Sequence, residues 1–257
     1  MKPCAFEHQS LTQHLLSVTD RAEAFVSRGY IDTACARLER SGVVADVDTV
    51  RKLVSVTAFF HDVGKAVESY QERFDEKCTC LKGKCSFYLH ELLSAVYVKR
   101  YLSLSADCDE KLRTLAVLAV LNHMHALRDY ASEKTYFTPE NRSKPQRLVQ
   151  FFENTRISEP SRLQILDAAK SCRFLDVDAL RRSLSDGVGV DEVQLLLRDI
   201  EHEEEKGQSY LKLYVLLLLP VVLGDNLDAV ANRRNDEQSR SRKAFLDELQ
   251  YLWGEQL

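Results

Sequence analysis

Helical periodicity runs through almost the whole chain, and it limits what the sequence can fold into more than any other feature. Apolar residues recur at intervals of three and four, the spacing that gives a helix one buried stripe. Few runs show the strict alternation of a half-buried strand. Gly (9) and Pro (5) are scarce among 257 residues, which disfavours turn-rich sandwiches and barrels. Hydrophobic types at 45% and charged types at 29% are ordinary globular values and exclude disordered or collagen-like chains. The expected fold class is all-α, one helical domain over residues 1–257, because no repeat or long linker interrupts the pattern.

Local signals set the expected helix ends. Ser10 with Gln13 three residues later is a capping-box signature ahead of the stripe Leu11, Leu15, Val18, Ala22 and Phe25, with Gly29 as the stop. A shorter helix over Thr33–Arg40 ends at Gly42. Asp46 or Asp48 caps a long one bearing Leu53, Val54, Val56, Phe59 and Phe60, with Gly64 marking a break. Beyond a cysteine-bearing loop at Asp75–Ser86, helices fit Tyr88–Ser103, Cys108–Leu127, Lys144–Asn154, Ser161–Cys172, Asp176–Ser185, Asp191–Lys206, Ser209–Arg233 and Ser241–Trp253.

A net charge of −4 argues against a uniformly basic nucleic-acid binder. No early segment joins a basic start, an apolar core and a small-residue cleavage site, so no signal peptide is expected. The apolar run Leu211–Gly224 is interrupted by Lys212 and Pro220 and falls short of the roughly 20 residues of a membrane span. A soluble, cytoplasmic chain without membrane contact is expected.

The sharpest local signal is His61-Asp62-Val63-Gly64-Lys65, directly after Ala58-Phe59-Phe60. Those apolar neighbours place the pair in the core, where polar atoms are costly unless they are paired or bind metal. Adjacent helix residues point about 100° apart, so the pair cannot chelate as an i, i+4 pair does. It can face a two-metal cluster, with Asp62 bridging both ions and His61 binding one. Four more polar residues sit in apolar helical sequence and can complete such a cluster: His14, His90, His123 and Asp225. Imidazole with carboxylate suits Mn, Fe, Co, Ni or Zn, and a carboxylate-rich end tolerates Mg.

The order His, His-Asp, His, His, Asp resembles the HD-domain metal-dependent phosphohydrolase superfamily. Its flanks are similar to the stand-alone HD nuclease branch of type I CRISPR systems (Cas three double-prime). They are Gln9-Ser10-Leu11-Thr12-Gln13-His14-Leu15, the His61–Lys65 motif with Tyr70-Gln71, His90-Glu91 with Ser94-Ala95, and Asp225-Asn226-Leu227-Asp228-Ala229. The resemblance implies a single HD-domain helical bundle and two divalent metal ions. His14, His61, Asp62 and Asp225 would hold one ion. Asp62, His90, His123 and His125 would hold the other. Asp62 and Lys65 are the implied catalytic residues, Lys65 contacting the scissile phosphate. The implied activity is cleavage of phosphodiester bonds, mainly in single-stranded DNA and possibly RNA, by a water that two metals about 3.5–4 Å apart activate for in-line attack on phosphorus. The chain lacks a Gly-x-x-x-x-Gly-Lys-Ser/Thr motif, so the implied partners are a separate CRISPR helicase subunit and the RNA-guided surveillance complex.

One departure bears on the second ion. The family shows adjacent histidines where this chain has His123-Met124-His125. Residues i and i+2 point about 200° apart, so both reach the cluster only if the helix ends or unwinds near Met124.

Other signals carry less. Seven cysteines cannot form a complete disulfide set within one chain. Cys78, Cys80 and Cys85 lack the spacing and fourth ligand of a zinc site; a solvated loop fits them best, with a local disulfide, or nucleic-acid contact by Lys77, Lys82 and Lys84, as the alternatives. Cys4, Cys35, Cys108 and Cys172 read as isolated small hydrophobes. The run Glu201–Glu205, with His202 inside it, reads as a solvated helix face, and His8 has no assigned role. Two basic clusters follow the site motifs: Arg142, Lys144 and Arg147, then Arg233, Arg234, Arg240, Arg242 and Lys243. They are solvated surface or a guide for a nucleic-acid strand. The competing functions are an HD nucleotide phosphohydrolase (a nucleotidase or cyclic-nucleotide phosphodiesterase) and a degenerate HD domain acting only as an interaction module.

Overall fold

The longest uninterrupted stretch of buried sequence decides the layout. In the computed structural model, which describes residues 2–83, 85–105, 108–124, 152, 155–232, 243–244 and 246–247, α3 spans Val47–Phe60 and every residue from Leu53 to Phe60 is buried. A helical segment buried on all sides must lie at the centre of its bundle, and this holds for the second half of α3. Its start is fixed by Asp46, whose carboxylate accepts from the Thr49 N–H at 2.7 Å, as the sequence suggests. Its other end delivers His61 and Asp62 into the interior.

Four helices surround α3: α1 (Leu11–Phe25), α5 (His90–Ser103), α6 (Glu110–Asn122) and α10 (Val215–Asn232). α1 packs on both α3 and α10, α10 also meets α3 and α6, and α5 packs on α6 and on a 3-10 turn at Val63–Ala66. Among the described residues five more helices flank these: α2 (Arg28–Arg40), which also packs on α3, the single-turn α4 (Glu68–Gln71), α7 (Glu159–Ala169), α8 (Val177–Ser183) and α9 (Val190–Glu205). α9 buries only Val193, Leu196 and Ile200, one stripe of an otherwise solvated helix, so Glu201-His202-Glu203-Glu204-Glu205 faces outward as expected.

The fold is all-α, with one small addition the periodicity does not show. Strands β1 (Cys4–Phe6) and β2 (Gln9–Ser10) form an antiparallel hairpin just before α1. Ser10 ends the hairpin and caps α1, its hydroxyl accepting from Gln13 N–H. Gly29 is not a helix stop. α1 ends at Phe25, and Ser27 caps α2 by accepting from Tyr30 N–H, so Gly29 lies in the first turn of α2. The helix expected to reach Leu127 ends at Asn122. The expected helices Lys144–Asn154 and Ser241–Trp253 lie largely outside the described residues. So do the basic cluster at Arg142, Lys144 and Arg147 and the basic residues Arg233, Arg234, Arg240 and Arg242.

The apolar run near the C-terminus lies within a longer helical stretch, close to the expected Ser209–Arg233. A 3-10 stretch at Ser209–Tyr214 runs directly into α10, and together Ser209–Asn232 is 24 residues long, with an 18-residue window of mean hydropathy 1.7, enough by length and composition to cross a membrane. Here it packs against α1, α3 and α6, and it carries Asp225 and Asp228 inward.

Cys4 is not an isolated hydrophobe. It is disulfide-bonded to Cys78, and a second bond joins Cys80 to Cys85, leaving Cys35, Cys108 and Cys172 free. The first link ties the hairpin to the cysteine loop, where His8 N–H also donates to the Cys78 carbonyl at 2.8 Å. Periodicity could not reveal it, because the partners are 74 residues apart in sequence. Closing a loop of that length removes conformational freedom from the unfolded chain, worth about 2–4 kcal/mol. Replacing Cys4 and Cys78 by serine lowers the unfolding free energy by about that amount in urea titration. An unchanged midpoint and slope contradict this account.

Candidate metal centre

The centre is built where helix ends and helix crossings meet. His61 caps the C-terminal end of α3 and Asp62 opens the 3-10 turn. His90 is the first residue of α5, preceded by Leu89 in the left-handed conformation (φ 68°). His123 caps the C-terminal end of α6, His14 lies in the first turns of α1, and Asp225 lies on α10. All but Asp225 are buried, and its side chain is only 16% exposed.

Two glycines let these helices come close enough. At Gly64 a Cβ would stand 2.2 Å from the His90 carbonyl oxygen, and the Gly64 N–H donates to Ser94 Oγ at 2.8 Å. No side chain fits there, so the 3-10 turn after Asp62 lies flush against the first turn of α5. Gly224 does the same for α10: a Cβ would stand 2.7 Å from the carbonyl oxygen of Val18, one turn beyond His14 on α1. Each glycine thus seats an aspartate beside a helix that carries a site histidine.

Asp62 stands between two groups of donors. Its Oδ2 lies 2.9 Å from His14 Nε2 and 3.4 Å from His61 Nε2, and Asp225 Oδ1 lies 3.6 Å from His14 Nε2. Its Oδ1 lies 2.8 Å from His90 Nε2 and 3.4 Å from His123 Nε2. One atom from each of His14, His61, Asp62 and Asp225 falls within a 4.8 Å cluster, and Asp62, His90 and His123 form a second. Asp62 is common to both, each oxygen turned to one group. His125 lies outside the described residues. α6 has already ended at His123, the condition under which a second histidine can turn inward.

Hydrogen bonding settles which imidazole nitrogen faces the cluster. Nδ1 of His61, His90 and His123 lies 2.6 Å from the carbonyl three residues back, at Ala58, Phe87 and Val120 respectively. A carbonyl only accepts, so Nδ1 carries the proton and a neutral ring presents a bare Nε2 lone pair inward. His14 has no such carbonyl; its Nδ1 donates to Asp228 Oδ2 at 2.7 Å. Inward Nε2 atoms then stand 3.2 Å apart in His14 and His61 and 3.3 Å apart in His90 and His123. Lone pairs converging on each other and on a carboxylate repel unless protons or cations lie between them. The donor set, imidazole with carboxylate, fits a divalent transition metal in each cluster.

Protonation follows the same logic. Burial alone would lower His90, but Asp62 and Glu91 outweigh it and raise it to about 9. Burial also opposes charge on His14, and the hydrogen bonds to Asp228 and Asp62 reverse it, so His14 is raised. His61 is lowered by burial and by the neighbouring His14 and His123 imidazoles, despite Asp62. Asp62 overcomes its own burial through Lys65, His61 and His90 and lies well below the usual carboxylate range. Lys65 is itself buried, its Nζ 2.6 Å from Asp62 Oδ2 and 3.8 Å above the Phe6 ring. His8 and His202 are exposed and belong to neither cluster.

The residue that sequence reasoning missed is Asp228, fully buried and bonded to His14. The available signal is its place on α10 three residues after Asp225, which puts both carboxylates on one helix face.

A helical scaffold that gathers His, His-Asp, His, His and Asp into clusters sharing one aspartate defines the HD-domain class of metal-binding hydrolases. Comparison with known proteins specifies the family: residues 5–190 match the Cas3 HD-domain family, and the chain belongs to it. It is 32% identical over 240 residues, 93% of each chain, to the CRISPR-associated endonuclease Cas3-HD of Saccharolobus solfataricus. Its fold is similar to that of the CRISPR-associated Cas3 HD domain protein of Methanocaldococcus jannaschii, with a TM-score of 0.51 and 22% identity, covering 86% of this chain and all of that one. Family membership makes the chain a metal-dependent hydrolase of the HD nuclease type.

A ligand histidine must surrender its proton, so metal binding competes with the raised His90 and His14. Calorimetry of Mn2+ binding in buffers of different ionisation enthalpy is expected to show release of about one proton or more per chain near neutral pH. Apparent affinity rises with pH until the His90 proton is lost at about 9. Binding without proton release contradicts the assignment.

Proposed function

We propose that the chain acts as one domain that uses two divalent ions to hydrolyse phosphodiester bonds, mainly in single-stranded DNA. The observation that carries this reading is the placement of Asp62, with one oxygen turned to His14 and His61 and the other to His90 and His123. His14, His61, Asp62 and Asp225 hold one ion; Asp62, His90 and His123 hold the second, with His125 as a further candidate ligand. Mn, Fe, Co, Ni or Mg suits these donors. When bound, the pair supplies Lewis-acid polarisation and a nucleophile at neutral pH.

The chain's own residues supply the rest. The Nδ1 hydrogen bonds aim the imidazoles, and burial excludes bulk water from their inner faces. Lys65 is the ammonium positioned to offset negative charge developing on the scissile phosphate. Its 2.6 Å bond to Asp62 Oδ2 holds it beside the site. The working context that fits the family is type I CRISPR interference in the cytoplasm, with a separate helicase subunit and the RNA-guided surveillance complex as partners.

A nuclease assay on single- and double-stranded DNA and RNA, across Mn, Fe, Co, Ni and Mg, tests the reading. Single-stranded DNA is expected to be cut fastest. Asp62→Ala abolishes cleavage, and Lys65→Ala lowers kcat about 10²–10³-fold. Full activity in Asp62→Ala, or turnover of free nucleotides in preference to DNA, overturns it; the latter result selects the nucleotide phosphohydrolase.

A further inference from the structure

His14 differs from the other three histidines in having no backbone carbonyl on Nδ1, whereas His90 Nδ1 has both the Phe87 carbonyl and, at 3.0 Å, the Glu91 carboxylate. His61 and His123 sit at helix C-termini and His90 at the start of α5, where each Nδ1–H reaches the carbonyl three residues back. His14 lies inside α1, where backbone carbonyls are already engaged by the helix itself. A carboxylate takes their place. Asp228, from the other end of the chain, is completely buried, and its Oδ2 accepts from both His14 Nδ1 and Gln9 Nε2 at 2.7 Å. Its Oδ1 accepts from Asn232 Nδ2 at 2.8 Å.

A buried carboxylate is costly, and an amide would satisfy the same ring nitrogen at less expense in desolvation. What a carboxylate adds is basicity: an imidazole that donates to a carboxylate is a stronger metal ligand through its other nitrogen. The partners of Asp228 come from separate places. Gln9 belongs to the β2 strand of the N-terminal hairpin, and Asn232 follows one turn later on α10. The hairpin thus braces the carboxylate that braces the histidine.

We propose that Asp228 is a positioning residue for His14, fixing its ring and tautomer so that Nε2 binds metal, with Gln9 and Asn232 holding Asp228 in place. The inference rests on the two-ion reading given above. It assigns Asp228 no contact with ion or substrate, only an action through His14.

Mn2+ titration of the full chain by calorimetry, with thermal melts of the metal-free proteins, tests it. Asp228→Ala is expected to weaken binding about 10–100-fold. Asp228→Asn, which keeps an oxygen to accept the Nδ1 proton but lacks the charge, weakens it by a smaller factor. This graded order is the signature of positioning, and it must appear in protein that is still folded. Should the alanine variant fail to fold, the near-isosteric asparagine variant carries the test alone. Wild-type affinity in every folded variant, even with a lowered melting temperature, reduces Asp228 to a packing role and overturns the proposal. A wild-type chain that takes up no Mn2+ overturns the metal reading itself, and this inference with it.

Discussion

The Asp62 carboxylate is the interaction on which the rest of the structure depends. It is buried at the end of the central helix α3, among four imidazoles and one ammonium. A charge in such a place is expensive unless cations or donors surround it. The fold can be read as the means of surrounding it. α1 brings His14, α3 brings His61, α5 brings His90, α6 brings His123 and α10 brings Asp225. A scaffold of packed helices is rigid enough to hold donors from such distant positions in register.

Close approach is the second requirement, and two glycines provide it. Gly64 and Gly224 each stand within two residues of a site aspartate and against the backbone of a helix bearing a site histidine. In sequence Gly64 looks only like a helix break. In the structure it marks a contact between the turn after Asp62 and α5 that any Cβ would block. Packing and site geometry are therefore one constraint here.

Much of the site is legible in the sequence because His14, His61, Asp62, His90, His123 and Asp225 are polar residues in apolar helical surroundings, and such residues need a reason to be there. Helix starts at Ser10 and Asp46 are legible because capping is local. What the sequence conceals is long-range. Asp228 sits one turn from Asp225, yet its importance appears only when α10 packs on α1 and brings it to His14. Cys4 gives no local hint of Cys78. Gly29 misleads because Ser27 caps the next helix before it, and the capping bond outweighs the helix-breaking tendency of glycine.

The central claim is that one carboxylate is shared by two ions. Anomalous diffraction from crystals grown with Mn2+ measures this most directly. The account predicts two anomalous peaks per chain, flanking Asp62, one beside His14 and His61 and the other beside His90 and His123. A single peak that leaves either Asp62 oxygen without an ion, or peaks remote from Asp62, contradicts it.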